Sequence, residues 1–166
     1  MLLAALAPLT AHAGPAEELS ALFMQSCMPH AGHPNALRQW AERLKLPEVP
    51  DPARARFLSG APGKVYDASS SVGKFALLSS DDGICAVVTD HAGDAETALA
   101  LERALGSASV RFRLVIERDD KPDAKLHHRE YLAERNGMAW RILAATVRDI
   151  NPGQVPGQAM LTAAPE

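Results

Sequence analysis

The fold of this chain is decided by residues 110–148, which read VRFRLVIERDDKPDAKLHHREYLAERNGMAWRILAATVR. At the start of this stretch, apolar and charged side chains alternate, with Val110, Phe112, Leu114 and Ile116 falling on one side. Successive side chains of a β-strand point to opposite faces of its sheet, so a strand with one buried face shows this period of two. The pattern predicts a half-buried strand.

Further along the same stretch, Asn136-Gly137 separates two strand-like runs at residues 127–135 and 138–148. Both residue types adopt the positive φ angles of a two-residue turn more readily than others, which makes this pair a strong hairpin signal. The sequence therefore predicts two antiparallel strands joined by a tight turn.

Helices are predicted upstream of these strands. Residues 16–30 and residues 34–46 both place apolar side chains at helical spacing. A third, shorter helix is expected from Asp51, as its N-cap, to about residue 58. A fourth is expected at residues 95–105, capped by Asp94.

Short strands are predicted between the third and fourth helices, at residues 64–67, 74–79 and 84–89. The last two are separated by Asp81-Asp82-Gly83, which is typical of a turn. This order of elements predicts an α+β fold, in which N-terminal helices pack on a mostly antiparallel sheet and one further helix lies between the strand groups.

A chain of 166 residues, 47% of them hydrophobic, is long enough for one ordinary domain. We assign residues 14–150 to a single α+β domain. Residues 151–166 are rich in Pro, Gly, Gln and Ala, and we expect a disordered or loosely packed tail. The net charge of −3 argues against a nucleic-acid binder, which needs a basic face.

Residues 1–13, MLLAALAPLTAHA, form an apolar run that ends in Ala-His-Ala. Small residues on both sides of one position are typical of a signal-peptidase site, so we interpret this stretch as part of a signal peptide cleaved before Gly14. No Lys or Arg precedes the run, and an alanine-rich disordered tail or the end of a buried helix are the alternatives. Export predicts a periplasmic or secreted protein with no integral membrane segment in the mature chain.

The two cysteines allow a single intramolecular pairing. In an oxidising compartment, a disulfide between Cys27 and Cys85 is the expected outcome, and it would join the first helix to the central hairpin. Closing this loop of about 60 residues stabilises the fold by roughly 4 kcal/mol in the chain-entropy model. The alternative is a pair of buried free thiols.

Residues with catalytic or metal-binding chemistry do not form a recognisable motif. His30 and His33 follow Cys27 at a spacing that suits a shared metal, but a helix break is predicted beside them and further ligands are missing. His128 and Glu130 share one strand face, and their spacing fits an acid–base pair or an ordinary cross-strand contact. We predict no catalytic residue, no metal and no cofactor; a hydrolase or a metal-dependent enzyme is the least favoured alternative.

Arginines offer a candidate surface for a protein partner. Arg111 and Arg113 point to the same face of their strand, and Arg129 or Arg141 from neighbouring strands can join them. Several guanidinium groups on one exposed face can bind carboxylates or phosphates of a partner. The alternative is an ordinary solvated face, with opposite charges supplied by Glu117, Glu130 and Glu134.

Aromatic side chains offer a second candidate, a pocket for a small ligand or a lipid between the helices and the sheet. The residues that can line it are Trp40, Phe57, Tyr66 and Phe75. Packing in the hydrophobic core is the alternative for all of them.

Several spaced motifs point to a known group of proteins. They are Phe23-x3-Cys27, Trp40-Ala41-x2-Leu44, Phe57-Leu58-x-Gly60-x2-Gly63-x-Val65-Tyr66, Phe75-x-Leu77 and Gly83-x-Cys85-x-Val87. In these motifs, which span residues 19–148, the chain resembles a family of uncharacterised proteobacterial secreted proteins and lipoproteins. The resemblance implies export and assigns no functional residue, and the chain lacks the cysteine to which the lipid of the lipoproteins is attached.

Together these observations predict an exported, non-catalytic periplasmic protein that acts by binding a protein partner. An immunity or inhibitor protein is one form of this role, since such proteins are small and need no chemistry of their own. A small-ligand- or lipid-binding periplasmic protein is the second prediction. The sequence does not specify an oligomeric state.

Overall fold

The computed structural model describes residues 14–120, 125–149, 151, 155 and 157–166. The stretch interpreted as a leader, residues 1–13, lies outside the described residues. The described residues form four helices: α1 (Pro15–His30), α2 (Pro34–Arg43), α3 (Ala53–Leu58) and α4 (Asp94–Ser107). They also form seven strands: β1 (Gly63–Asp67), β2 (Phe75–Ser80), β3 (Cys85–Thr89), β4 (Arg111–Asp119), β5 (Leu126–Arg135), β6 (Met138–Val147) and β7 (Ala159–Pro165).

The seven strands make one antiparallel sheet, in the order β1-β2-β3-β7-β6-β5-β4. Helices α1 and α4 pack side by side on one face of it, with α2 beside them. The fold class predicted from the sequence is confirmed, because N-terminal helices pack on an antiparallel sheet and α4 lies between two strand groups.

The C-terminal segment differs from the prediction. We expected a loosely packed tail at residues 151–166, but β7 is a central strand that pairs with β3 on one side and β6 on the other. Ala159, Leu161 and Ala163 alternate along it and are fully buried under α1. Two of these three side chains are alanine, so the period of two is weak in the sequence.

The hairpin between β5 and β6 is confirmed. Asn136 and Gly137 have φ angles of 53° and 76°, and Arg135 pairs with Met138 across the turn. Positive φ at both central residues defines the type I′ turn, whose twist matches that of the two strands.

The predicted helix caps are wrong in detail. The N-cap of α3 is Pro52 and that of α4 is Gly93, and neither helix has a side-chain cap. Asp51 instead forms an ion pair with Arg54, with 2.7 Å between Oδ2 and Nη2. Asp94 is the first residue of α4, where its carboxylate is bound by residues of the sheet.

Helices α1, α2 and α4 cover what we call the helix face of the sheet. The main core lies between these helices and the sheet, and its fully buried side chains include Leu19, Phe23, Leu101, Ile142 and Leu161. Burial of each such side chain is worth roughly 2 kcal/mol relative to exposure. A second, smaller core covers the other face of β1–β3, where α3 packs; it contains Leu58, Val65, Ala76, Leu78, Ala86 and Val88.

The other face of β4, β5 and β6 carries none of the described helices. We call it the open face, and it is formed by Arg111, Arg113, Ile116, Arg118, His128, Glu130, Leu132, Glu134, Arg141 and Leu143. Strand β4 is also an edge strand, whereas the opposite edge, β1, is covered by a bridge between Glu48 and Tyr66.

Cys27 of α1 and Cys85 of β3 form a disulfide, as predicted, with 5.2 Å between their Cα atoms. Both residues are buried in the main core. Beside them, the amide of Gly32 donates to the carbonyl of Gly83 over 2.8 Å. A Cβ at Gly83 would lie 2.9 Å from the Gly32 Cα, so the close approach of the two chains requires glycine here. The end of α1 is therefore held against the turn between β2 and β3.

Candidate functional site

A β-bulge in β4 sets the direction of the charged side chains around it. Leu114 pairs with Tyr131, but Ile116 pairs with Glu130, so Val115 is an extra residue on β4. A bulge of this kind shifts the alternation of the residues that follow it by one position. The predicted alternation is therefore wrong beyond Leu114, and Ile116 lies on the open face.

The expected burial of β4 is also wrong. Leu114 and Ile116 are each 42% exposed, and Phe112 is only half-buried. The strand is at the edge of the sheet, where α4 makes few contacts with it. An alternating pattern is present, but it does not mark a buried face.

The bulge places Glu117 and Asp119 on the helix face, opposite Arg129 and His127 of β5. The imidazole of His127 is 4% exposed and lies between the two carboxylates. Its Nδ1 is 2.7 Å from Asp119 Oδ1, and its Nε2 is 3.2 Å from Glu117 Oε1. Each ring nitrogen therefore has a carboxylate partner.

Asp94 is the second centre of charge on this face. Its carboxylate accepts hydrogen bonds from both terminal nitrogens of Arg129, from Thr146 Oγ1 at 2.5 Å and from Arg148 Nε at 3.0 Å. Burial alone raises the pKa of the Asp94 carboxyl, but the hydrogen bonds and charges of Arg129, Thr146 and Arg148 outweigh it and lower the pKa to about 2. Asp94 is therefore ionised at any pH near neutrality.

The two arginines connect both centres. Arg129 Nη2 lies 3.1 Å from Glu117 Oε1, and Arg148 Nη1 lies 3.1 Å from Asp119 Oδ1. We call the whole group the ionic network: Asp94, Glu117, Asp119, His127, Arg129, Thr146 and Arg148. It links the first turn of α4 to β4, β5 and the end of β6.

The ion pairs of the ionic network hold the first turn of α4 against the sheet. Each of its carboxylates has a cationic partner within 3.3 Å. Its residues do not line the cavities at the open face, beside the second core or beside Met28.

The predicted arginine surface is present in part. Arg111, Arg113 and Arg141 all lie on the open face, as the strand pairing shows. Arg129 does not, and its inclusion was wrong, because odd-numbered residues of β5 point to the helix face. Its guanidinium is bound to Asp94 instead and is not available to a partner.

Two arginines of the open face already form ion pairs within the protein. Arg111 lies 2.7 Å from Glu134, and Arg141 pairs with both Glu130 and Glu166. Two other arginines on this face, Arg113 and Arg118, have no charged partner among the described residues. They flank Ile116 on the edge strand, with one positive charge on each side of an exposed apolar side chain.

A shallow cavity of about 390 Å³ lies at one end of the open face. Its lining includes Arg111, Arg113, Leu132, Glu134 and Glu166. The unpaired guanidinium of Arg113 therefore stands at the edge of a partly apolar depression.

The predicted aromatic pocket brings together two of its four residues. Phe57 and Phe75 line a cavity of about 340 Å³ beside the small second core. Tyr66 is buried at 2% exposure, and burial raises the pKa of its phenol. Trp40 is half-buried, and its ring centroid lies 6.2 Å from that of His30.

The histidines considered for chemistry have separate partners. His30 Nδ1 lies 2.7 Å from the Ser26 carbonyl, and Cys27 is in the disulfide. His128 Nε2 lies 3.1 Å from Asp120 Oδ2, while Glu130 is bound by Arg141. Across the described ranges, no group of three or more His, Cys, Asp or Glu side chains is placed to hold a metal ion.

Comparison of the chain with family models, with curated proteins and with solved structures finds no match. In the part of the chain that the structure describes, none of the helices has the length and apolar character needed to span a membrane.

Proposed function

We propose that this is an exported, non-catalytic protein that binds a protein partner through its open face. The observation that carries the proposal is the placement of Arg113, Ile116 and Arg118 on an uncovered face of the sheet. The disulfide supports export, since such bonds persist in oxidising compartments such as the periplasm. The resemblance to proteobacterial secreted proteins points the same way.

Side chains are better suited than the β4 backbone to make this contact. Bulges and charged residues on an edge strand discourage the addition of another strand, and β4 has both. An exposed isoleucine between two free guanidinium groups instead suits a partner surface with an apolar centre and flanking carboxylates. An inhibitor or immunity protein that occupies a site on an enzyme or toxin would have such a partner.

Site-specific crosslinking tests the proposal. A photoreactive p-benzoylphenylalanine at position 116 is expected to capture one protein in the periplasm of the natural host. The matched control carries p-benzoylphenylalanine at position 99 instead, since Leu99 is also exposed, at 52%, but lies on α4. We expect the adduct at 116 alone, and we expect R113Q/R118Q to remove it. Equal adducts from both positions, or none from 116, would refute the proposal.

The second candidate function is binding of a small ligand beside Phe57 and Phe75. It is favoured by the cavity of about 340 Å³, a volume within the range of ligand sites, with the apolar side chains of Val49 and Val88 in its lining. A thermal-shift screen with lipids and cell-wall fragments tests it. A ligand that raises the melting temperature of the wild type, but not that of F57A, supports this function, and no shift from any compound excludes it.

A further inference from the structure

Three methionine side chains line one small cavity at the end of the molecule opposite the ionic network. Met24 and Met28 come from α1, and Met138 comes from the first position of β6. The cavity has a volume of about 120 Å³, and its remaining lining residues are Pro29, Val110, Arg135 and Trp140. The cavity is therefore rich in thioether sulfur.

The backbone explains why these side chains line one cavity. Met24 and Met28 are four residues apart on α1, so they lie one above the other on the same helix face. Met138 follows the Asn136-Gly137 turn and points to the helix face, as Trp140 does two residues later. Met28 is buried at 5% exposure, whereas Met138 is 54% exposed and gives access from solvent.

The size of the cavity limits what it can hold. Sites for drug-sized organic ligands begin at about 300 Å³, well above the volume found here. A single ion fits this space, and methionine has enough rotatable bonds to direct its sulfur at one.

The donor chemistry selects the ion. Thioether sulfur is a soft, neutral ligand that favours Cu(I) over hard cations. The indole of Trp140 adds an aromatic face that attracts a cation. Arg135 brings a positive charge to the rim, where its Nη1 donates to the Ala108 carbonyl over 3.2 Å. This charge opposes the binding of any cation, and it opposes a divalent ion about twice as strongly as a monovalent one.

We propose that this cavity binds one monovalent soft cation, Cu(I) or its analogue Ag(I), through the thioethers of Met24, Met28 and Met138. The site does not depend on the partner-binding function, because the open face lies on the other side of the sheet.

Titration with Ag(I), which needs no reductant, tests the proposal on the full chain with its disulfide intact, in chloride-free buffer. We expect one equivalent to bind and to quench the fluorescence of Trp140, which is the only tryptophan left when the titration is repeated with W40F. M28L and M138L should each weaken binding at least about tenfold, because leucine keeps the apolar volume but removes the sulfur. M160L is the matched control, since Met160 lies in β7 outside the cavity, and it should bind as the wild type does.

The half-exposed position of Met138 keeps the test valid even if M28L disturbs the core. Competition for Cu(I) against a chromophoric chelator under anaerobic conditions should give the same order of variants. Absence of Ag(I) binding by the wild type would overturn the proposal. So would equal affinities of the wild type and M138L, or an equal loss in M160L, because each places the ion elsewhere.

Discussion

Strands β1–β3 and strands β4–β6 belong to one sheet, but different interactions stabilise them. The first group is covered by apolar side chains on both faces, and the Cys27–Cys85 disulfide joins β3 to α1. Among the described residues, helices cover the second group on one face only, and its contact with α4 includes the ionic network. Ion pairs depend on pH, whereas apolar burial and a covalent bond in a fixed oxidation state do not.

Because of this difference, the residues that stabilise β4–β6 and the residues that are available to a partner lie on opposite faces of the sheet. Because the ionic network and the main core hold β4–β6 from the helix face, the opposite face does not need a covering layer. Its exposed residues, Ile116 among them, are therefore free to contact a partner. In the first group, by contrast, both faces are used for packing.

The largest expected effect falls on the first group. Replacing both cysteines, in C27A/C85A, should lower the free energy of unfolding by roughly 4 kcal/mol, since the bridge spans 58 residues of sequence. Urea unfolding of the variant and of the oxidised wild type measures the difference. A loss below about 1 kcal/mol would contradict the stabilising role that we assign to the disulfide in the first group.

The next largest effect falls on the second group. D94A should lower the free energy of unfolding by about 2 to 3 kcal/mol, because it leaves the part-buried guanidinium groups of Arg129 and Arg148 without their carboxylate. Chemical denaturation measures this loss. D51A is the matched control, since the pair of Asp51 with Arg54 is exposed and should contribute less than about 0.5 kcal/mol. Similar values for both variants would contradict the structural role of the network.

Acid should weaken the second group by a smaller amount. The folded pKa of Asp94 is about 2, below its ordinary value of 3.8, so the unfolded state takes up its proton first as pH falls. The stabilisation from Asp94, about 2 kcal/mol, is therefore complete above about pH 4 and is lost as the pH falls towards 2. Unfolding curves at several pH values should show this loss in the wild type but not in D94A. Parallel curves would contradict it.

The smallest effect on stability is expected on the open face. R113Q/R118Q should change the free energy of unfolding by less than about 0.5 kcal/mol, since neither side chain has a charged partner among the described residues. Urea unfolding provides the measurement. A loss above about 1 kcal/mol would mean that these arginines are structural, and the case for a binding role would fall with it.

Local patterns in the sequence predicted much of this fold. Helical spacing, the Asn136-Gly137 turn and the single possible cysteine pairing are each set by residues near one another or by counting. Strand β7 was missed because its small alternating side chains gain their burial only from β3, β6 and α1, which are distant in sequence.

The candidate sites depended more strongly on distant contacts. The bulge at Val115 follows from the register between β4 and β5, and no local pattern marks it. Without it, the alternation assigned Glu117 to the face of Arg111 and Arg113, and the ionic network was not predicted. The alternation within β5 did indicate that His127 and Arg129 share one face, because each is next to His128 in sequence and must point away from it.

Deletion of Val115 tests the arrangement on which both the ionic network and the open face depend. Because Val115 is the extra residue, its removal joins Leu114 directly to Ile116 and leaves Ile116 opposite Glu130, Glu117 opposite Arg129 and Asp119 opposite His127. We therefore expect the deletion to keep the ionic network and to lose no more than about 1 kcal/mol in the free energy of unfolding, measured with urea, as V115A should. A loss of about 3 kcal/mol in the deletion but not in V115A would contradict this account, because it would mean that β4 alternates without a bulge and that the deletion turned Glu117 and Asp119 to the other face.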